Sequence, residues 1–329
     1  MKEKDIRPEY LMQENFKLHA EDVKRLLKHK KDFVKISCPA CEFTASKIAF
    51  KKNGFTFAIC AKCETIFVNP RPTLEMLEEF YTISKSIKHW NDKIFPISEN
   101  IRRSQIFAPR AKRVAELCRK YNVITKTLID VGAGFGTFCE EIEKLSIFDK
   151  VVAIEPSPDL ANTCRRKGLN VIEKPVEDTD IKKADVITNF ELIEHLYRPK
   201  DFLITCRKIL SKGGFLIITT PNIRGFDLLV LGKSSNNITG PNHLNYFHAG
   251  SLSYLLTRCG FDVIEVLTPG SLDSELVRKK ILDNEFNVSK QPFLKMLLID
   301  QWKNTGNAFQ HFLADNKLSS HLWVVARKR

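Results

Sequence analysis

Leu128-Ile-Asp-Val-Gly-Ala-Gly-Phe-Gly136 is the stretch whose reading decides the fold. An apolar run ends in Asp130, glycines follow at Gly132, Gly134 and Gly136, and Thr137-Phe-Cys-Glu-Glu-Ile-Glu-Lys144 then takes helical spacing. A strand that turns into a helix through glycines lets its backbone approach a ligand closely. The first helical turn also offers unpaired N–H groups to that ligand. Val151-Val-Ala-Ile-Glu155 reads as the next strand, and a carboxylate at its end can accept both hydroxyls of a ribose. A dinucleotide-binding turn has the form G-x-G-x-x-G, with its last glycine one position later than here.

From Thr127 onward strands and helices alternate, the mark of an α/β fold with a parallel sheet. Strands are expected at residues 127–131, 150–155, 170–173, 184–190, 214–219, 261–267 and 321–327, seven in all. Helices are expected near 137–145, 158–167, 200–209 and 250–259, with a further helical stretch over about 273–316.

Upstream, Cys38-Pro-Ala-Cys41 and Cys60-Ala-Lys-Cys63 are separated by eighteen residues. Between them lie Ile48, Phe50, Phe55, Phe57 and Ile59 in apolar alternation, and an Asn53-Gly54 turn, which together predict a β-hairpin. Two knuckles flanking a hairpin bring four thiolates into a tetrahedron suited to structural Zn²⁺. A closed four-sulfur site has no open coordination position, so no catalysis is assigned to it. Before the knuckles, Leu18, Val23, Leu26 and Leu27 lie among alternating charges and predict a basic surface helix. After them, prolines in Ile66-Phe-Val-Asn-Pro-Arg-Pro72 mark a boundary. Thr73 then caps a helix, and a second helix runs near 104–121.

The chain has 329 residues, room for one large domain or a medium domain with an accessory module. Its 52 Lys and Arg against 39 Asp and Glu give a formal charge of +13, which favours nucleic acid, nucleotide-linked substrates, phosphorylated sugars or anionic surfaces. A lysine-rich proteome gives the same bias. The basic residues are scattered, with a local concentration at Arg102, Arg103, Arg110, Lys112, Arg113, Arg119 and Lys120. No apolar run approaches the ~18 residues that span a bilayer. The opening Met1-Lys-Glu-Lys-Asp5 lacks the apolar stretch of a secretory signal, and Cys118, Cys139, Cys164, Cys206 and Cys259 read as buried reduced thiols. The expected location is cytoplasmic.

Five features taken together resemble a class I S-adenosylmethionine-dependent methyltransferase: Asp130-x-Gly132-x-Gly134-x-Gly136, Glu155, Asn189-Phe-Glu-Leu-Ile-Glu-His195, Arg207-Lys-Ile-Leu-Ser-Lys-Gly-Gly214 and Thr219-Thr-Pro-Asn222. The resemblance covers about 127–267 and the last strand, and it implies a Rossmann-like seven-stranded sheet. It also implies that Asp130, Gly132, Gly134 and Gly136 hold the methionine part of the cofactor, that Glu155 holds the ribose, that Val176 and Glu177 flank the adenine, and that Asn189 lies beside the methyl donor. Pro175 stands where many relatives carry Asp, which leaves adenine recognition to backbone amides. The expected organisation is a basic helical segment (1–35), a zinc ribbon (36–72), a helical linker (73–122), the S-adenosylmethionine-binding core (123–270), a helical insertion (271–318) and the final strand of the core sheet (319–329).

Glu191, Glu194 and His195 share one face if their segment is helical. Glu-x-x-Glu-His also resembles the motif of ubiquinone-biosynthesis O-methyltransferases and of small-RNA 2′-O-methyltransferases. In those families the two Glu and the His, with a later His, bind a catalytic divalent metal, and His243 is the candidate here. Two histidines among the ligands favour Mn²⁺ or Zn²⁺ over Mg²⁺. A metal-free base, His195 or His243 oriented by Glu194, and a merely structural turn both stay open beside it. Tyr246 and His248 are expected to fix the substrate loop.

The whole layout resembles bacterial zinc-ribbon methyltransferases that modify sugars, surface polysaccharides and small natural products. Zinc-ribbon sugar C-methyltransferases are related in layout, but they typically have a different fifth-strand ending and a large extra C-terminal domain. The first expectation is therefore O-methylation of a sugar, a polysaccharide precursor or a related small molecule, including a phosphate-like group. RNA methylation, of ribosomal RNA or of the 2′-O type, is the alternative, and a non-catalytic zinc-ribbon binding protein is the third. No dense basic-aromatic patch supports the RNA reading, and Asn189-Phe-Glu-Leu192 is not the Asn-Pro-Pro-Tyr of exocyclic-amine methylation.

Overall fold

The computed structural model describes residues 3–329. The chain forms two compact units, each assembled from three segments. The first comprises residues up to Ser98, Pro221–Ser251 and Leu267–Leu322; the second comprises Glu99–Thr220, Leu252–Val266 and Trp323–Arg329.

In chain order the strands are β1 (Ser46–Lys52), β2 (Phe55–Cys60), β3 (Ile66–Val68), β4 (Thr127–Val131), β5 (Lys150–Ile154) and β6 (Val171–Ile172). They continue with β7 (Ala184–Phe190), β8 (Leu210–Pro221), β9 (Asn245–Tyr246), β10 (Phe261–Leu267) and β11 (His321–Lys328). Seven of them form the sheet of the second unit, in the order β10-β11-β8-β7-β4-β5-β6. The β6-β5-β4-β7-β8 portion is parallel throughout. Its central strands are apolar runs rather than alternating ones: Ile129, Val186, Ile187, Leu216 and Ile217 are fully buried, as strands covered on both faces require. The chain order reverses between β4 and β7, so a crevice is expected at their carboxyl ends. The α/β, Rossmann-like expectation therefore holds. β8 starts four residues earlier than expected, because Leu210 already pairs with Ala184, and the register shifts before Phe215 pairs with Val186, with Gly213 at φ of 76°.

The first unit contains the four-stranded sheet β1-β2-β3-β9. Asn53 and Gly54 both take positive φ, 47° and 83°, the left-handed pair a two-residue hairpin turn needs. Phe55, Phe57 and Val68 are buried on one face of the sheet, and Phe67, opposite Ala58, is buried on the other. The two-residue strand β9 was not legible in the sequence. It pairs antiparallel with β3, Ile66 opposite Tyr246, and Arg71 Nη2 donates to Asn245 Oδ1 at 3.1 Å.

The helix Glu9–Leu26 keeps most of its length at the surface and buries Leu11, Asp22, Val23 and Leu26 on its inner face. Burial alone would raise the pKa of Asp22, but donors outweigh it. The amides of Ser86 and Lys85 and the hydroxyls of Ser84 and Ser86 hold the carboxyl below its ordinary range. The region between β10 and β11 is helical over Asp273–Leu282 and Trp302–Asp315. Its core of Leu231, Val277 and Leu298 is flanked by Phe226, Phe286 and Trp302.

Two buried carboxylates anchor that helical region. Asp227 bonds to the Ser320 hydroxyl, and Asn237 Nδ2 donates to it at 3.4 Å. Asp273 accepts from Ser319 Oγ at 2.7 Å and Gln310 Nε2 at 2.7 Å. Burial, and then the neighbouring Asp273, push Asp227 up to about 7. The folded state therefore holds a proton that the unfolded chain, with a carboxyl near 3.9, gives up earlier, and stability falls as pH rises from about 4 to about 7. The loss is at most about 4 kcal/mol. Asp227→Asn should flatten the decline in melting temperature between pH 5 and pH 8. A variant that declines as steeply as the parent would disprove this account.

Candidate functional site

The glycine turn of the second unit takes the left-handed backbone at each glycine, with φ of 76°, 56° and 70° at Gly132, Gly134 and Gly136. The Gly132 and Ala133 amides donate to the Ile154 carbonyl at 2.9 and 3.1 Å, tying the turn to the end of β5. From the outer side, Glu99 accepts from Thr137 Oγ1 at 3.0 Å and from Lys167, whose ammonium also reaches the Phe135 carbonyl at 2.9 Å. A Cβ on Gly136 would meet Leu169 Cδ1 at 2.4 Å and Cys164 Sγ at 2.9 Å. One on Gly134 would meet nothing within 4 Å. The third glycine is thus needed for packing and the second faces open space.

Around that space the structure gathers several of the expected residues. Glu155, at the end of β5, accepts from Gly134 N at 2.8 Å and Ser157 N at 2.9 Å, one bond to each carboxylate oxygen. Burial raises its pKa against those two bonds. Asp130, at the end of β4, is almost fully buried and is pushed up to about 7 by burial, although Thr188 Oγ1 donates to it at 2.7 Å. Asn189, on β7, directs Nδ2 to the Val131 carbonyl at 3.4 Å. Its Oδ1 is buried and has no hydrogen-bond partner among the described residues. An orphaned acceptor at the switch between β4 and β7 costs on the order of 1–3 kcal/mol, a cost that a ligand donating to it would remove. Val176 is buried on a short turn after β6, and Glu177 beside it is exposed.

The Glu191–His195 segment is a turn, not a helix, so the helical-face geometry is corrected. Glu191 takes φ of 52°, which ends β7 and cannot start a helix, and the His195 amide donates to Leu192 O at 2.9 Å. The turn still brings the three side chains onto one short segment. Glu191 accepts from Thr219 Oγ1 at 2.7 Å, and Glu194 accepts from Thr220 Oγ1 at 2.8 Å. His195 Nε2 stands 3.9 Å from Glu194 Oε1. Burial and then the adjacent Glu191 push Glu194 well above the usual carboxylate range. His243 belongs to the first unit, where Nδ1 is 3.2 Å from the Asn237 carbonyl and the ring meets Tyr246 edge-on. Tyr246 accepts the Thr239 amide at 2.9 Å and so braces its own loop.

Arg110 was counted only in a local concentration of basic residues, yet it is part of this site. It is half-buried, lies over the Phe190 ring at 4.9 Å and pairs with Glu191 at 3.6 Å. Desolvation lowers its pKa against the charges of Glu191, Asp130 and Glu194. The signal was available: Arg110 is one turn before Val114 on the stripe that continues through Leu117 and Cys118.

In the first unit, the sulfurs of Cys38, Cys41, Cys60 and Cys63 all lie within 4.8 Å of one another, two pairs at 3.4 Å. Four thiolates at about 2.3 Å from one ion would be about 3.8 Å apart, so the donor set fits zinc. Lys62 N and Thr65 Oγ1 contact two of the sulfurs, and the second knuckle is braced by His248 Nε2 at 2.9 Å from the Cys63 carbonyl.

A parallel sheet with a glycine turn after its first strand and a carboxylate at the end of its second is the arrangement that nucleoside-binding α/β proteins share. A profile of the family described as "Methyltransferase domain" matches residues 101–266, just over half the chain, and the chain belongs to that family. It is similar to a probable S-adenosylmethionine-dependent methyltransferase of Mycolicibacterium smegmatis, 31% identical over 30% of this chain and 35% of that protein. It is also similar to the ubiquinone biosynthesis O-methyltransferase of Caulobacter vibrioides, 32% identical over 32% of this chain and 45% of that protein. The chain thus spans less than half the length of these two relatives. Among solved structures, a SAM-dependent methyltransferase from Archaeoglobus fulgidus aligns with 72% of this chain and 100% of that one, at 18% identity and a TM-score of 0.47. Among the described residues no helix is long and apolar enough to cross a membrane.

Proposed function

We propose that the protein is an S-adenosylmethionine-dependent methyltransferase acting on a hydroxyl of a sugar, a polysaccharide precursor or a related small molecule. The observation that carries the reading is the grouping of residues at the carboxyl ends of β4, β5 and β7 in the second unit. It combines open space at Gly134, the Glu155 carboxylate and the unpartnered Asn189 Oδ1. Bound there, S-adenosylmethionine supplies an electrophilic methyl group on a sulfonium. The chain's own residues do the rest. Glu155 receives the ribose hydroxyls, Asp130 faces the cationic methionine end, and Asn189 Oδ1 takes a donor. Val176 and Glu177 border the adenine. Arg110 balances the buried acids. His195, with Glu194 beside it, removes the acceptor's proton. Cys38, Cys41, Cys60 and Cys63 hold a structural zinc ion in this reading.

Glu191, Glu194 and His195 also form a donor set for a divalent metal, with His243 as the further ligand suggested by sequence. The name of the Caulobacter vibrioides relative, a ubiquinone biosynthesis O-methyltransferase, supports an oxygen on a small molecule as the acceptor. Calorimetry with S-adenosylmethionine should show one site, and transfer of labelled methyl to a lysate should mark a glycan or small-molecule fraction. Absence of binding would refute the reading, and label confined to RNA would replace the acceptor. Turnover abolished by a chelator and restored by Mn²⁺, at unchanged zinc content, assigns a metal to Glu191, Glu194 and His195. Turnover that persists assigns the base role to His195 alone.

A further inference from the structure

The first unit contains a cavity of about 660 Å³ unrelated to the glycine turn. One wall is the helix Glu9–Leu26 and its continuation, and the hairpin end at Lys52 and Asn53 and the loop at 236–239 form the others. Its size lies within the range of small-molecule sites. Val23 and Ile238 form a buried apolar floor, Leu27 adds to it, and Phe16 stands at the side with 44% of its surface exposed.

The charged groups on the lining all carry one sign. Lys24, Lys28 and Lys52 all contribute, and none of the three forms an ion pair with a carboxylate among the described residues. Lys52 donates to the Ser235 carbonyl at 2.6 Å, a neutral partner. The nearby acids are engaged elsewhere: Asp22 with Ser84, Ser86 and Arg25, and Glu21 with Lys85. His19 also lines the space, and its Nε2 is buried without a hydrogen-bond partner among the described residues. Burial and then Lys280 lower the Lys52 ammonium to about 8, and a negative charge beside it would favour its charged form.

From this lining we infer that the cavity binds an amphiphilic anion: an alkyl or prenyl chain on the Val23–Ile238 floor, with its phosphate head among Lys24, Lys28 and Lys52. Three lysines favour a head of more than one negative charge over a single carboxylate. The site is separate from methyl transfer, and it stands or falls independently of that reading.

Titration calorimetry on the full chain tests it with decyl phosphate below its micellar range, inorganic phosphate and decanol. Decyl phosphate should saturate one site, with the other two at least tenfold weaker. Lys52→Met should weaken decyl phosphate at least tenfold and Lys52→Arg should restore it, both leaving S-adenosylmethionine binding unchanged. Lys28→Met, at an exposed position, gives the same readout should Lys52→Met fail to fold. Three results overturn the inference: inorganic phosphate binding as tightly as decyl phosphate, decyl phosphate binding without saturation, or full affinity in both Met variants.

Discussion

Gly134→Asp should lower affinity for S-adenosylmethionine at least 100-fold, about 2.7 kcal/mol, while costing the fold only about 1–2 kcal/mol. The small stability cost follows from the space around this glycine. Its φ of 56° is one Asp tolerates, and an added Cβ would meet nothing of the protein within 4 Å. The large affinity cost has two causes. The new side chain would occupy the path by which the backbone approaches a ligand. Its carboxylate would also lie next to Glu155, which bonds to the amide of the same residue at 2.8 Å. Gly136→Ala is the contrasting variant, since its methyl would press on Leu169 and Cys164, so stability should drop first. Calorimetry and thermal melts on both variants separate the two effects. Unchanged affinity in Gly134→Asp would remove the basis for the assigned cofactor site.

Purified protein should carry one zinc ion per chain, and Cys38→Ser should lose it and lower the melting temperature of the first unit by more than ~10 °C. Structural zinc sites supply on the order of 10 kcal/mol to small domains, and without the cation the remaining thiols take up protons and no longer tie the two knuckles together. The damage should spread beyond the knuckles. Cys60 is the last residue of β2, and β2 pairs with β3, which pairs with β9. Elemental analysis and calorimetry check both halves of the expectation. A protein free of zinc, or a serine variant that melts with the parent, would defeat it.

Much of the second unit was legible because its signals are local. β4 and β7 have the expected limits, since each is an apolar run bounded by a turn or a charge. The glycine turn and Glu155 also lie where strand-end reasoning put them. Three features were missed or misread for distinct physical reasons. The Glu191–His195 spacing fits a helix, yet one residue with positive φ turns it into a bend, and no periodicity argument sees a single dihedral angle. Arg110 carries a charge, which argued for solvent, although its phase on the helix argued for burial. β9 is two residues long, too short for any pattern, and exists only because β3 offers it an edge. The cavity over Val23 and Ile238 joins segments more than two hundred residues apart, so nothing local announces it.

The pairing of β3 with β9 sets a timetable for synthesis. Ile66 and Phe67 leave the ribosome long before Asn245 and Tyr246 exist, with the whole of Glu99–Thr220 made in between. At ordinary translation rates the interval is on the order of ten seconds or more. Throughout it the β3 edge is an open template for another chain, the kind of edge from which aggregation starts. A nascent chain stalled before residue 245 should therefore be far more prone to self-association than the finished protein.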